Sequence, residues 1–279
     1  MSTTRKKPPL PDEKAVRAFR RKILDFYRKH GRHDLPFRLT TDPYQILVAE
    51  IMLQQTQVER VLGKYEEWIE RWPDVYSLAG ATARQVLTAW SGLGYNRRAL
   101  NLYQTAREVV LEYDGLMPET PEELQELPGI GPYTAHAVAI FAFNAPTVTI
   151  DANIRRVLLH EFNWPADTSD TELYELAELL LPPKRSRDWH NALMDYSRLA
   201  LPRRMDHIPP KSRQSQFEGS VRQVRGEIVR RLTTRSYTTV DAVARAMDCP
   251  TDKVHTAARA LEREGTVALT GNRIKLSGE

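Results

Sequence analysis

The chain has 279 residues, with 40 Lys and Arg against 36 Asp and Glu, a formal net charge of +4 and a pI of about 9.1. This length allows one large core or two smaller ones, and the basic balance suits a polyanionic partner. A single cysteine, Cys249, excludes an internal disulfide framework and a multi-cysteine zinc or iron–sulfur site. The lack of a long apolar run or hydrophobic leader predicts a soluble, intracellular protein.

The first part of the chain is predicted to be helical after a basic, proline-bearing arm at residues 1–12. Apolar residues recur at helical spacing, which predicts helices over residues 13–30, 43–57, 61–72, 83–90 and 97–112. Pro73-Asp74 and Ser91-Gly-Leu-Gly-Tyr95 connect the last three of these helices. Tyr65, Trp68 and Trp90 are spaced as core residues.

The predicted helix from Pro43 to Gln57 is apolar around almost its whole circumference, so we expect it to be buried. Glu50 lies inside this apolar run. A carboxylate there is costly unless it is paired or holds a proton, and a proton held near neutral pH is what a general acid requires. The alternative is that Glu50 lies on the one solvated face of the helix, near Gln54.

A pair of glycines separates two helices in the middle of the chain. Thr120, Pro121 and Glu123 are a helix-start signal, with an N-cap residue, a proline at the first position and a glutamate three residues after the cap. Gly129-Ile-Gly131 permits a tight turn, and Pro132 begins the next helix. The amide N–H groups at such a start bind anions, of which a nucleic-acid phosphate is one. An ordinary helix–turn–helix connection is the alternative.

Asp151 follows the short apolar run Thr147–Ile150 and begins a further helix. Taken alone, Asp-x-Asn at this position is a good N-cap. Two more helices are predicted within residues 170–201. The stretch after Tyr196 contains no cysteine and is basic instead, so it supplies phosphate contacts or is a solvated linker. Its basic residues are Arg198, Arg203, Arg204, Lys211 and Arg213.

A proline-bearing linker at 209–215 precedes the C-terminal part. Beyond it, the pattern predicts helices over residues 216–233, 239–247 and 250–264, and then a β-hairpin with a Gly-Asn turn. Three helices followed by a hairpin are typical of a winged helix, which either contacts DNA or serves as a packing module.

Two motifs together resemble a known family. Leu127-Pro-Gly-Ile-Gly131, with Asp151 downstream, is similar to the helix-hairpin-helix DNA glycosylases of base-excision repair. Ala49-Glu-Ile-Met-Leu-Gln-Gln-Thr-Gln-Val58 is similar to the signature of their adenine-specific, mismatch-directed branch. The resemblance implies an all-α, two-lobed fold over residues 13–213, with a six-helix lobe at about 31–135 and a second lobe formed by 13–30 and 136–213. Residues 214–279 are then the winged-helix domain.

The resemblance also implies roles for individual residues. Glu50 protonates the departing adenine, and Asp151 stabilises the positively charged sugar. Tyr133 stands where lytic members place the lysine that forms a Schiff base, which implies hydrolysis without strand cleavage. The residues expected at the DNA are Gln54, Gln55, Gly92, Gly94, Tyr95, Arg97, Gly129, Gly131, Thr134 and Arg155.

The implied function is that of a monofunctional glycosylase that flips out and removes adenine mispaired with 8-oxoguanine or guanine in double-stranded DNA. A thymine or uracil glycosylase acting on G mismatches, and a catalytically silent DNA-binding protein, are the alternatives. The protein is expected to be a cytoplasmic, nucleoid-associated monomer, and it lacks the four-cysteine loop that holds the family's usual iron–sulfur cluster. The resemblance further implies Na⁺ or K⁺ on backbone carbonyls near Leu127 and Ile130, and no other metal.

Overall fold

The structure, a computed structural model, describes residues 7–203, 205, 208 and 216–278. The predictions for the first residues of the basic arm, for Arg204, Lys211 and Arg213, and for the linker at 209–215 lie outside the described residues. Within the described ranges the chain is mostly helical, as the sequence predicted.

Helices fill the part of the chain before the linker. They are α1 (Glu13–His30), α2 (Pro43–Leu53), α3 (Val58–Arg71), α4 (Val75–Ala79), α5 (Ala83–Ala89), α6 (Arg97–Glu112), α7 (Pro121–Glu126), α8 (Pro132–Phe143), α9 (Ala152–Glu161), α10 (Asp170–Leu180) and α11 (Ser186–Leu199). Helices α1 and α6 have the bounds that the sequence predicted. The short helix α4 was not predicted, although Asp74 and Ser77 form a capping box at its start.

The C-terminal segment, defined here as residues 216–278, combines three helices with a small antiparallel sheet. Its elements are α12 (Val221–Thr234), β1 (Thr238–Thr239), α13 (Val240–Met247), α14 (Thr251–Arg263), β2 (Val267–Thr270) and β3 (Arg273–Leu276). The strand order is β1-β3-β2, with Ile274 opposite both Thr238 and Leu269. The predicted hairpin is confirmed. The first helix begins later than predicted, because Ser220 caps it by accepting a hydrogen bond from the Gln223 N–H.

The described chain divides into two compact units. The first unit comprises Met1–Ile46, Glu119–Gln125 and Ile130–Arg213. In its core α1 packs against α10 and α11, and the rings of Phe19 and Trp189 meet edge to face at 5.8 Å. The described part of the stretch after α11 is anchored to this core by apolar side chains, among them Leu201 and Met205.

A buried carboxylate ties α11 to the segment after α1 in the first unit. Asp195 is 0% exposed and accepts hydrogen bonds from the backbone N–H and Nε of Arg32, both at 2.8 Å. It also accepts from Nη1 and Nη2 of Arg38, at 2.6 and 3.1 Å. Burial alone would raise the pKa of Asp195, but the hydrogen bonds and charges of Arg38 and Arg32 lower it below its usual value.

The second unit comprises Leu47–Pro118, Glu126–Gly129 and Gln214–Glu279. The predicted core aromatics are confirmed, because Tyr65, Trp68 and Trp90 are all buried and the two indoles meet edge to face at 5.6 Å. Helix α12 packs on α14 and on α5. Arg84 of α5 donates hydrogen bonds to the carbonyls of Leu232 and, at 2.7 Å, of Arg235.

None of the helices in the described part of the chain combines the length and the apolar character needed to cross a bilayer. The predicted division into domains at residues 13–213 and 214–279 stays a prediction.

Candidate active site

Glu50 lies on a helix that is buried on nearly every side. Asp42 accepts hydrogen bonds from the first N–H groups of α2, at 2.8 and 3.3 Å, which fixes where the helix begins. Glu50 itself is half-buried. The structure therefore presents one carboxyl group on a helix whose side chains are mostly apolar, and the prediction of a buried helix is confirmed. The side chains exposed by at most 3% are those of Ile46, Leu47, Val48, Ala49, Ile51 and Met52.

The C-terminal end of α2 differs from the prediction. The helix ends at Leu53 and not at Gln57, because Gln55 adopts a left-handed conformation with φ of 54°. Gln54 is half-buried and Gln55 is exposed. The two glutamines expected at the mismatch therefore lie in a tight turn beyond the helix.

The loop between α5 and α6 is sharply bent. Gly92, Gly94 and Tyr95 all have positive φ, at 95°, 71° and 48°. The indole Nε1 of Trp90 donates a hydrogen bond to the carbonyl of Gly94 at 2.9 Å, which holds the loop against the buried indole. Tyr95 is 42% exposed, and Arg97, the first residue of α6, is exposed as well. The loop thus presents an aromatic ring and a cation to solvent, as a DNA-contacting loop would.

The two glycines of the hairpin differ in what they do. Gly129 has φ of 73°, and a Cβ there would lie 2.2 Å from the side chain of Asn101. Gly131 has an ordinary φ of −89°, caps α8, and has nothing within 4 Å of where a Cβ would be. The space beside Gly131 at the start of α8 is therefore open, and an anion at a helix start requires such room.

Two further predicted residues lie in the first turn of α8. Tyr133 is half-buried, whereas Thr134 is 3% exposed. The side chain of Thr134 therefore does not reach solvent in this structure. A contact between this position and DNA would use its backbone N–H.

Asp151 is the N-cap of α9, as the residue pattern predicted. Its Oδ1 accepts a hydrogen bond from the Ile154 N–H at 2.7 Å, and its Oδ2 accepts one from Asn153 Nδ2 at 2.7 Å. Burial raises the pKa of the Asp151 carboxyl, and these hydrogen bonds lower it in part. The Asp151 side chain is half-buried, and the structure holds its carboxylate in a fixed direction. Arg155, on the same helix, donates to the carbonyl of Ala166.

His190 supports the segment that leads to Asp151, a contact that the sequence did not indicate. Its Nε2 accepts a hydrogen bond from the Thr149 N–H at 3.2 Å, and its Nδ1 donates to the Ser186 carbonyl at 2.7 Å. Burial lowers the pKa of His190 to about 4, so the ring is neutral at physiological pH. A buried histidine that accepts from the backbone leaves no pattern in the sequence.

The predicted site residues belong to both compact units. Tyr133, Thr134, Gly131, Asp151 and Arg155 belong to the first unit, whereas Glu50, the glutamine pair, the 92–97 loop and Gly129 belong to the second. Within the described ranges, no group of three or more His, Cys, Asp and Glu side chains is placed to hold a metal ion.

The comparisons with known proteins agree on one family. Residues 48–183 match the family model described as "HhH-GPD superfamily base excision DNA repair protein". The chain is 38% identical over 228 residues to the adenine DNA glycosylase of Mycolicibacterium smegmatis, covering 74% of this chain and 78% of that protein. It is 41% identical over 197 residues to human adenine DNA glycosylase, covering 66% of this chain. The chain spans only 36% of the length of that human relative.

A solved structure described as a thermostable thymine-DNA glycosylase is also similar. It superposes with a TM-score of 0.62 at 31% identity, over 68% of this chain and 89% of that chain. The family model, the relatives and the fold agree with the helix–hairpin–helix that the structure places at residues 121–143. The chain belongs to the HhH-GPD superfamily of base excision DNA repair proteins.

Proposed function

We propose that this protein is an adenine DNA glycosylase that hydrolyses the N-glycosidic bond of adenine mispaired with 8-oxoguanine or guanine and leaves an abasic site. The observation that carries the proposal is the pair of carboxylates, Glu50 on a buried helix and Asp151 at the start of α9. Both occur in a chain that is 38% identical to a protein named an adenine DNA glycosylase over most of both sequences.

Glu50 acts as the general acid. It gives its proton to a ring nitrogen of the adenine, so that the base leaves as a neutral molecule with the electron pair of the broken bond to the sugar. Its place among the buried apolar side chains of α2 supports this role, because an apolar neighbourhood limits the access of water.

Asp151 acts as the electrostatic partner of the sugar. Loss of the purine leaves an oxocarbenium-like cation, which a fixed carboxylate in a poorly solvated position stabilises strongly. The two hydrogen bonds that hold Asp151 fix its direction before the reaction begins. Water then adds to the sugar carbon and releases a proton, which completes a hydrolysis.

Tyr133 limits the reaction to hydrolysis. A lytic glycosylase needs an amine that forms an imine with the sugar, and a phenol cannot form one. We therefore propose a monofunctional enzyme that does not cut the DNA backbone.

Double-stranded DNA is the proposed partner, and the protein is proposed to act as a monomer. The open space beside Gly131 at the start of α8 suits a backbone phosphate. The 92–97 loop and the Gln54–Gln55 turn suit the neighbourhood of the mismatch. The carbonyl oxygens of Leu127 and Ile130 are hard donors that would suit Na⁺ or K⁺. Such an ion would only support the hairpin.

We interpret the C-terminal segment as a winged helix, because its elements follow the order helix, strand, helix, helix, hairpin. A winged helix often binds DNA through its last helix, here α14. The charges of α14 are mixed in sign, which does not favour binding to a polyanion; they are those of Asp252, Lys253, Arg259, Glu262 and Arg263. The packing of α12 on α5 favours instead a role in which this segment supports the rest of the second unit.

A thymine glycosylase acting on G mismatches is the second candidate. The similarity to the thymine-DNA glycosylase structure, at 31% identity over 89% of that chain, favours it. The two candidates share a fold and differ in the base released, so the substrate decides between them.

The test is a single-turnover assay of the full chain on duplexes that carry A opposite 8-oxoguanine, A opposite G, T opposite G, U opposite G and, as a control, A opposite T. We expect release of adenine from the first two, with strand scission only after alkali treatment. Release of T or U alone would replace the adenine assignment by the second candidate. Binding without release from any duplex would show a catalytically silent DNA-binding protein.

A further inference from the structure

Arg98, in the first turn of α6, points inward and not toward solvent. Its Nη1 donates to three carbonyls at the end of α2: Ile51 at 2.6 Å, Met52 at 3.1 Å and Gln54 at 2.8 Å. These are carbonyls that the end of a helix leaves without partners in the helix itself. A cation is also favoured there by the helix dipole.

The other terminal nitrogen of Arg98 binds the neighbouring loop. Nη2 donates to the carbonyls of Leu93 at 3.1 Å and Gly94 at 3.2 Å, and to the Thr56 hydroxyl at 3.3 Å. The guanidinium also lies over the rings of Trp90 and Tyr95, at 5.1 and 5.7 Å. One side chain thus joins the end of the helix that carries Glu50 to the bent loop between α5 and α6, all within the second unit.

Only arginine suits this place. Its planar guanidinium presents donors in a rigid fork, whereas lysine has one compact ammonium group that cannot reach both sets of carbonyls at once. Burial lowers the pKa of Arg98 to about 10, so the group stays protonated at neutral pH. Its neighbour Arg97 is exposed, so the two adjacent arginines have different surroundings.

The two segments that Arg98 joins are both held in uncommon backbone conformations. Gln55 and Tyr95 have φ of 54° and 48°, in the left-handed region that residues other than glycine rarely adopt. Such conformations persist where the surrounding contacts fix them. Both segments also carry the side chains that the proposed function places at the mismatch.

We propose that Arg98 is a positioning residue that fixes the Gln54–Gln55 turn and the Gly92–Tyr95 loop relative to each other, so that both enter the duplex as one rigid element. This inference rests on the proposed function for its consequence at the mismatch. Its structural part, the coupling of the two segments, is independent of that function.

The first test measures hydrogen exchange in the DNA-free full chain for wild type and Arg98→Lys. We expect amide exchange at residues 53–57 and 91–96 to become at least ~10-fold faster together in the variant, because both segments lose their shared donor. Arg107→Lys is the matched control, since Arg107 lies on the same helix with an exposed guanidinium 5.7 Å from the Tyr103 ring. Unchanged exchange in either segment of Arg98→Lys would overturn the proposal.

The second test measures the preference for a mismatched over a matched duplex. We expect Arg98→Lys to lose ~10-fold or more of this preference while its affinity for matched duplex, which depends on phosphate contacts, stays within ~3-fold. Val109→Ala, a cavity variant in the buried face of α6, controls for lost stability and should keep the preference. Added methylguanidinium should restore part of the preference to Arg98→Ala.

The outcomes separate the two claims. Loss of preference in Val109→Ala as large as in Arg98→Lys, or full preference in Arg98→Lys, would overturn the positioning role. If wild type excises no base and Arg98→Lys still shows the coupled change in exchange, the result would contradict the proposed function and leave the positioning role supported.

Discussion

At the scale of single residues, Asp151 combines two duties whose energetic requirements oppose each other. As the cap of α9 it stabilises the fold by accepting from the Ile154 N–H. The partial burial of its carboxyl group raises its pKa, so its ionised form is disfavoured in the folded state. Its folded-state pKa lies above the unfolded value of about 3.9. The contribution of Asp151 to the free energy of unfolding is therefore fully present below that pH and is lost as the pH rises through the folded pKa.

We therefore predict that Asp151→Asn separates stability from activity. Asparagine caps a helix as well as aspartate does, and it removes the buried charge, so Tm at neutral pH should stay the same or rise by about 2–4 °C per kcal/mol gained. Single-turnover excision should fall by ~100-fold or more, because the sugar cation loses its partner. Thermal unfolding and the excision assay check both. A large fall in Tm with excision retained would contradict the assignment.

The sequence indicated some residues of this site and not others. Glu50 and Asp151 stand out because a carboxylate in an apolar run and an Asp at a helix start are visible in the residue order. Arg98 and His190 do not, since each bonds to the backbone of a segment that is distant in the sequence, and backbone groups carry no sequence signal.

At the scale of elements, the hairpin contains two glycines with different reasons for being glycine. We predict that Gly129→Ala lowers the free energy of unfolding by about 1–2 kcal/mol, because φ is positive and the new Cβ meets Asn101. Gly131→Ala should change stability by less than ~0.5 kcal/mol, because φ is ordinary and the space is open. Thermal unfolding of the two variants gives the comparison.

The two glycine variants should rank in the opposite order when their affinities for duplex DNA are measured. Gly131→Ala should weaken binding to a duplex, because its methyl group occupies the space through which a phosphate reaches the start of α8. The account of the hairpin is wrong if Gly131→Ala unfolds the protein more readily than Gly129→Ala and binds DNA as wild type does.

The link between α11 and the segment after α1 should make stability depend on acid pH. The pKa of Asp195 is lowered, so its contribution is present above the unfolded value of about 3.9 and is lost as the pH falls through the folded pKa. We predict that Asp195→Ala lowers the free energy of unfolding by about 3–5 kcal/mol at pH 7, because two arginines lose a buried partner. Its Tm should also change less than that of wild type between pH 5 and pH 3, and an equal change would argue against this linkage.

The elements show where sequence patterns suffice. The bounds of α1 and α6 follow from apolar spacing, whereas the end of α2 does not, because Arg98 and the left-handed Gln55 end the helix and neither feature is visible in the residue order. Strand β1 was missed since it has only two residues, Thr238 and Thr239, and two residues show no periodicity.

At the scale of the whole molecule, the C-terminal segment lies beyond the residues that match the family model and still belongs to the second compact unit. Arg84 of α5 binds the carbonyls at the end of α12. We predict that Arg84→Ala lowers the free energy of unfolding by about 1.5–3 kcal/mol, the range for hydrogen bonds to a charged group. Arg235→Ala is the matched control, because Arg235 contributes its carbonyl and its side chain is exposed. Equal Tm values for the two variants would show that α12 is not held in this way.

The measurement that tests the central claim most directly compares wild type with Glu50→Gln on a duplex that carries adenine opposite 8-oxoguanine. Released adenine is quantified under single-turnover conditions, and binding to the same duplex is measured alongside. The account predicts adenine release by wild type, and in the variant a loss of ~100-fold or more with binding retained, because glutamine cannot donate the proton. Equal release by both proteins, or no adenine from wild type, would contradict it.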